Sequence, residues 1–214
     1  MSSCLVIGAS KQIYRDGRYD HDYMICADGG LDSALALGLS PDVVIGDGDS
    51  SHITTKTIID TRIERITLPR EKDETDLEAA VRLGLDRGFK DFCLTGCTGG
   101  RLDHFLSALF LLEFLAENNA KGRIADADNE IILYSAPVLF SPPHGFRYFS
   151  VIPLDETLRG VCVSGAKYGL ENATLKRGAS LPVSNEFLPG TAAKIEIGQG
   201  KAFVIRSERE HYAT

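Results

Sequence analysis

The chain has no tryptophan, only 2 methionines, and no apolar run long enough to cross a bilayer. Its most apolar stretch, Phe105 to Leu115, is about half the ~20 residues a membrane helix needs and has Glu113 inside it. The opening Met1-Ser2-Ser3-Cys4-Leu5-Val6-Ile7 lacks the basic flank and long apolar core of a signal peptide and reads as a first strand. Basic residues are the minority, 23 Lys+Arg against 30 Asp+Glu, for a formal net charge of −7. That balance removes the attraction behind most non-specific nucleic-acid affinity, so neither nucleic acid nor an anionic membrane is an expected partner. Five cysteines (Cys4, Cys26, Cys93, Cys97, Cys162) are odd in number and mostly lie in apolar, strand-like runs. They suit buried thiols in a reducing, cytoplasmic compartment rather than a disulfide framework. Cys93-x-x-x-Cys97 lacks a second pair of Cys or His at zinc-site spacing, so no zinc site is expected.

What is present is ordinary for a folded globular protein: 214 residues, 43% hydrophobic and 25% charged, enough for one large domain or two small ones. The charge is divided unevenly. Residues 1–135 carry 14 basic and 23 acidic side chains, whereas 136–214 carry 9 and 7. An acidic half that binds polyphosphate needs a divalent cation to bridge carboxylate and phosphate.

The texture changes at the same place. Up to residue 136, short apolar runs (Leu5-Val6-Ile7, Tyr23 to Cys26, Val43-Val44-Ile45, Ile63 to Leu68, Phe92-Cys93-Leu94) alternate with helical patterns. Leu77, Val81 and Leu85, with Ala80 and Gly84 beside them, mark one buried helix face. Leu102 to Asn118 is helical in period but apolar on most sides, which predicts a helix packed deep in the core. This alternation predicts a mainly parallel, Rossmann-like α/β domain over 1–136, with ligands beyond the carboxyl ends of the strands. Pro137, Pro142-Pro143 and Gly145 then read as a linker. Beyond it, Tyr148 to Pro153, Gly160 to Ser164, Ala173 to Leu175, Ala193 to Ile197 and Ala202 to Ile205 predict a small all-β sandwich domain within 137–214.

Four constellations could carry chemistry. In Val43-Val44-Ile45-Gly46-Asp47-Gly48-Asp49-Ser50 a strand empties into a loop whose Asp47 and Asp49 could face one hard cation, or the loop is simply a good turn. Thr75-x-x-Glu78 fits a capping box opening the next helix. Asp76 is then either a first-turn acid complementing the helix dipole, or a further metal ligand or proton acceptor. In Thr95-Gly96-Cys97-Thr98-Gly99-Gly100-Arg101-Leu102-Asp103-His104 a strand runs into a glycine-rich loop and a helix, the arrangement in which backbone N–H groups receive phosphate. The loop is neither a Walker A nor a G-x-G-x-x-G motif, and Arg101 supplies its cation. The alternative is a glycine-assisted turn with Arg101 solvated and His104 packed. Finally, Asp28 in Ala27-Asp28-Gly29-Gly30 is either a ribose or phosphate-site residue or a helix N-cap.

Each piece is common, but the ordered set is specific. Ala-Asp-Gly-Gly (27–30), Gly-Asp-x-Asp-Ser (46–50), Lys-Asp-x-Thr-Asp (72–76) and Gly-x-x-Gly-Gly-Arg-x-Asp-His (96–104) together resemble the thiamine pyrophosphokinase family. Gly165-Ala166-Lys167-Tyr168-Gly169-Leu170 and Ser184-Asn185-Glu186 extend the resemblance through the β-rich half. Ala166 departs from the family's usual Leu, and the chain lacks the Trp that some members place near the thiamine ring.

The resemblance implies transfer of the β,γ-diphosphate of ATP to the hydroxyl of thiamine, giving thiamine diphosphate and AMP, with Mg²⁺. By that analogy Asp47, Asp49 and Asp76 hold the metal and, with Arg101, are the catalytic set. Asp28, Gly99, Gly100, Arg101, Asp103 and His104 lie at the ATP site. Lys72, Asp73, Tyr168, Ser184 and Asn185 contact substrate, with Tyr168 or Phe187 as the aromatic surface. The family is homodimeric, with thiamine between the α/β domain of one subunit and the β domain of the other. Two other readings share these motifs: a diphosphotransferase acting on another heterocycle such as a pterin, and a non-catalytic nucleotide or thiamine sensor.

Overall fold

The computed structural model describes residues 2–13, 21–47, 63–141 and 145–209, with the Arg209 side chain excepted. By its contacts the chain divides into two compact units, Met1–Ala127 and Asp128–Thr214. The N-terminal unit runs β1 (Ser3–Ile7), β2 (Tyr23–Ala27), α1 (Gly30–Ala36), β3 (Val43–Gly46), β4 (Glu64–Thr67), α2 (Asp76–Asp86), β5 (Asp91–Thr95), α3 (Leu102–Glu117) and β6 (Lys121–Ala125). Its strands lie in the order β6-β5-β1-β2-β3-β4, and every neighbouring pair is parallel. β1 therefore sits between β2 and β5, and the connections leaving it diverge. A crevice at the strand ends follows from that order reversal.

The central strands are buried over nearly their whole length because helices cover both faces. Leu5 and Ile7 pack with Leu31 and Ala34 of α1. On the opposite pleat, Gly84 of α2 lies against Phe92 and Cys4, so closely that a β-carbon there would stand 2.6 Å from the Phe92 ring. The buried face of α2 is Ala79, Ala80, Val81 and Gly84, while Leu77 and Leu85 are only half-buried. The helix approaches the sheet through its small residues, not through its leucines.

Thr75 caps α2, its hydroxyl accepting from Glu78 N at 3.1 Å. Thr75→Ala is expected to cost about 1 kcal/mol, the usual value of such a cap, and to lower the melting temperature by roughly 2–4 °C in a circular dichroism melt. An unchanged melt would remove the cap from the argument.

α3 departs from expectation. It buries Ala108, Leu111, Leu112 and Leu115, but Leu102, Leu106 and Phe110 are 76%, 53% and 56% exposed. Near-uniform hydrophobicity marked an apolar helix without saying which side meets the sheet. The outward stripe repeats every four residues, so it forms one continuous face.

The C-terminal unit contains β7 (Asn129–Leu133), β8 (Val138–Phe140), β9 (Phe146–Pro153), β10 (Thr157–Ser164), β11 (Leu170–Lys176), β12 (Asn185–Glu186), β13 (Ala193–Glu196) and β14 (Ala202–Arg209). Strands β12-β9-β14-β7 and β11-β10-β13-β8 form two antiparallel sets. Phe149, Val151 and Val204 from one set share a core with Leu158, Val161, Val163, Leu175 and Ile195 from the other. The segment expected as a linker holds β8, which pairs with β13. Pro142 and Pro143 lie outside the described residues. The division between units falls before β7, because β7 pairs with β14.

Candidate functional site

The ends of β1, β2 and β5 and the starts of α2 and α3 enclose a cavity of about 430 Å³ in the N-terminal unit. That is ample for a nucleotide-sized ligand. Its walls are Gly8-Ala9-Ser10 after β1, Asp28 after β2, Thr75-Asp76-Leu77 at α2, and the 96–101 loop with His104 and Ser107 of α3. Two glycines make this possible. Gly8 N donates to Thr95 O at 2.8 Å and Ser10 N to Gly96 O at 2.8 Å, and a β-carbon on Gly8 would sit 2.6 Å from Gly96 O. Gly96 itself has φ +65.

Of the residues singled out in the sequence, Asp28, Asp76, Gly100, Arg101 and His104 line the cavity. Asp47, Asp103, Gly99, Lys72 and Asp73 are not among its walls. Gly99, at φ +72, is overlain by the Gln12 side chain, and Asp73 is exposed. Asp49 lies outside the described residues. Ser10, Thr98 and Ser107 also line the cavity, and none of them is singled out by the sequence motifs. Gly8-Ala9-Ser10 could have been found from its place after the first strand, but Thr98 and Ser107 carry no pattern of their own.

Asp28 is not a helix cap. α1 begins at Gly30 with Gly29 as its N-cap, and Asp28 takes φ 47 just before it. Its Oδ1 is fully enclosed and has no hydrogen-bond partner among the described residues, as is also true of Thr98 Oγ1. An enclosed carboxylate oxygen without a donor is costly and calls for a cation or a ligand donor.

Lys72 is the cation that the structure brings to Asp76. Its Nζ stands 2.9 Å from Asp76 Oδ1, an ion pair whose angles fall short of a hydrogen bond. The lysine is held above its ordinary range by that contact first, and further by the charges of Asp76, Asp47 and Asp28. Carboxylates from the ends of β2 and β3 and the start of α2 thus act on one ammonium. Among the described residues no three such side chains are already arranged as a metal shell. The donor set still fits a hard cation: oxygen ligands only, one of them unsatisfied.

Arg101 is the N-cap of α3 and its guanidinium grips Asp103 twice, Nη2 to Oδ2 at 2.6 Å and Nε to Oδ1 at 3.1 Å. That grip, helped by His104 N, holds the Asp103 carboxyl down at about 2. His104 is exposed, so it is no packed core residue. Cys97 is pushed up to about 12, chiefly by burial, so it stays a thiol at neutral pH.

In the C-terminal unit, Tyr168 is 56% exposed while Phe187 packs against Phe140 and Phe149 in the core. Asn185 is buried and spends its amide on Tyr168, donating to Tyr168 O at 2.7 Å and accepting from Tyr168 N at 3.1 Å. It braces the segment that presents the ring. Ser184, exposed at φ 58, precedes it.

Comparison with known proteins decides what this arrangement belongs to. Residues 16–123 match the thiamin pyrophosphokinase catalytic domain, and residues 138–201 match the thiamin pyrophosphokinase vitamin B1 binding domain. The chain belongs to the thiamin pyrophosphokinase family. It is 30% identical to the thiamine pyrophosphokinase of Bacillus subtilis over 95% of this chain and 97% of that one. The crystal structure of the Bacillus subtilis thiamine pyrophosphokinase matches with a TM-score of 0.84 at 28% identity, covering 98% of this chain and 100% of the other. A thiamin pyrophosphokinase family protein from Enterococcus faecalis gives 0.84 at 26% identity, with the same coverage. The chain shares their mixed α/β fold with a large sheet and a second, antiparallel one. Membership makes it an ATP-dependent diphosphotransferase with ATP and thiamine as substrates. The B1-binding match over the β-rich unit speaks for thiamine against a pterin. No helix among the described residues is long and apolar enough to cross a membrane.

Proposed function

We propose that the N-terminal, Rossmann-like α/β domain holds Mg²⁺ and ATP, and that the C-terminal β-sandwich domain binds thiamine. Asp47, Asp49 and Asp76 are the metal ligands, and bound Mg²⁺ neutralises the polyphosphate and the charge that develops as the β,γ-diphosphate moves to the thiamine hydroxyl. The observation that carries this reading is the pair of carboxylates on the cavity wall, Asp28 with an enclosed Oδ1 that has no hydrogen-bond partner among the described residues and Asp76 in an ion pair with Lys72. Arg101 turns from Asp103 to the phosphates. Gly99, Gly100, Asp103 and His104 shape the phosphate end of the site, and Asp28 the end nearest β2. Lys72 and Asp73 border the transferred group. Tyr168, held by Asn185, offers its face to the pyrimidine, with Ser184 as a polar neighbour.

A homodimer with its active site at the subunit interface is supported by the uncovered apolar side chains Leu102, Leu106 and Phe110 in one unit and Leu181, Val183 and Leu188 in the other. The free cysteines support a cytoplasmic, reducing setting.

Purified protein incubated with ATP and Mg²⁺ is expected to release AMP only when thiamine is added, and to stop when EDTA is present. AMP release with a hydroxymethylpterin instead of thiamine, or tight binding of thiamine with no AMP at all, would overturn the assignment.

A further inference from the structure

Lys72 is ion-paired with Asp76, one of the metal ligands proposed above. The residue precedes α2, so its 2.9 Å contact with Asp76 is no ordinary pair along a helix surface. The side chain is only 14% exposed, and Nζ is also anchored to Pro69 O at 3.3 Å. Asp76 is the carboxylate in contact with this ammonium, while Asp47 and Asp28, from the ends of β3 and β2, add only the effect of their charge. On the same cavity wall the enclosed Asp28 Oδ1 has no hydrogen-bond partner among the described residues.

We infer that Lys72 is the resident counter-ion of Asp76 and competes with the divalent cation for it, so that metal binding must evict it. The inference rests on the metal site proposed above. A divalent ion held by Asp76 binds the carboxylate that now faces Lys72, and an ammonium left beside it would repel it. Lys72 therefore keeps the folded enzyme stable without metal and lowers its affinity for the free ion. The site then fills most readily when the ion arrives with a polyphosphate, whose negative charge offers the displaced lysine a new partner.

The test is Mn²⁺ binding without nucleotide, read from the paramagnetic resonance of the free ion. Lys72→Met should bind Mn²⁺ about tenfold more tightly than the unmodified enzyme, as expected when a positive charge within a few ångströms is removed. Lys72→Arg, which keeps the charge, should stay within twofold. In EDTA, Lys72→Met should melt below the unmodified protein and gain more from added Mn²⁺. If Lys72→Met does not fold, Lys72→Gln takes its place. Affinity unchanged or weakened in the neutral variant, including no binding by either protein, overturns the inference. Asp47→Asn and Asp76→Asn separate the two claims: if both bind Mn²⁺ as tightly as the unmodified enzyme, the metal site itself has been misplaced, whatever Lys72 does.

Discussion

The Asp47→Asn enzyme is expected to fold as the unmodified protein does and to form AMP roughly a thousandfold more slowly. A metal clamp on a transferring phosphoryl group contributes several kcal/mol, and each ~1.4 kcal/mol is a factor of ten in rate. The substitution is isosteric and sits just past β3, whose Gly46 is tied to Leu68 N at 3.0 Å by its own backbone carbonyl. The side chain is half-buried and outside the core, so loss of its charge should leave the melting curve near that of the unmodified enzyme. Steady-state AMP release at saturating ATP and thiamine, beside a thermal melt, measures both. A rate within threefold of normal would show that Asp47 is not a ligand. Excess Mn²⁺ should recover part of the lost rate, because a weakened site can be filled by mass action.

How much of this could be read from the residues depends on the scale of the pattern. The apolar runs ending at Ile7, Cys26, Ile45 and Leu94 all form strands, and the parallel order puts their carboxyl ends side by side. Once strand ends are known, loops such as Ala27-Asp28-Gly29-Gly30 and Gly96 to Arg101 are natural places for a ligand. Thr75 was legible because a capping box needs only two residues at fixed spacing.

What required coordinates was of another kind. α3 is hydrophobic nearly all round, so its sequence could not say that Leu106 and Phe110 face outward. β8 hides among prolines because a three-residue edge strand has too few residues to show a period. That Asn185 bonds the Tyr168 backbone through both ends of its amide is visible only in the fold. That Asp28 and Asp76, 48 residues apart, share one cavity wall is a long-range result that no local spacing encodes.

Arg101→Ala is expected to raise the KM for ATP roughly ten- to a hundredfold, the range for losing charged hydrogen bonds to phosphate, while the KM for thiamine and the melting temperature barely move. The last part follows from exposure: the Arg101–Asp103 pair has side chains 72% and 64% exposed, and exposed ion pairs contribute little to stability. The pair is nevertheless an apt holding position. Asp103 stays ionised at any physiological pH, its carboxyl being held at about 2 by Arg101, so it keeps the guanidinium at the mouth of the cavity until phosphate offers the same fork. Arg101→Lys should recover only part of the lost affinity, since an ammonium keeps the charge but not the two parallel N–H groups. If Arg101→Ala instead lowers stability and leaves the KM for ATP alone, the Arg101–Asp103 pair is a structural brace for the start of α3. The phosphate would then have to be held by the 96–100 backbone and the helix terminus without it.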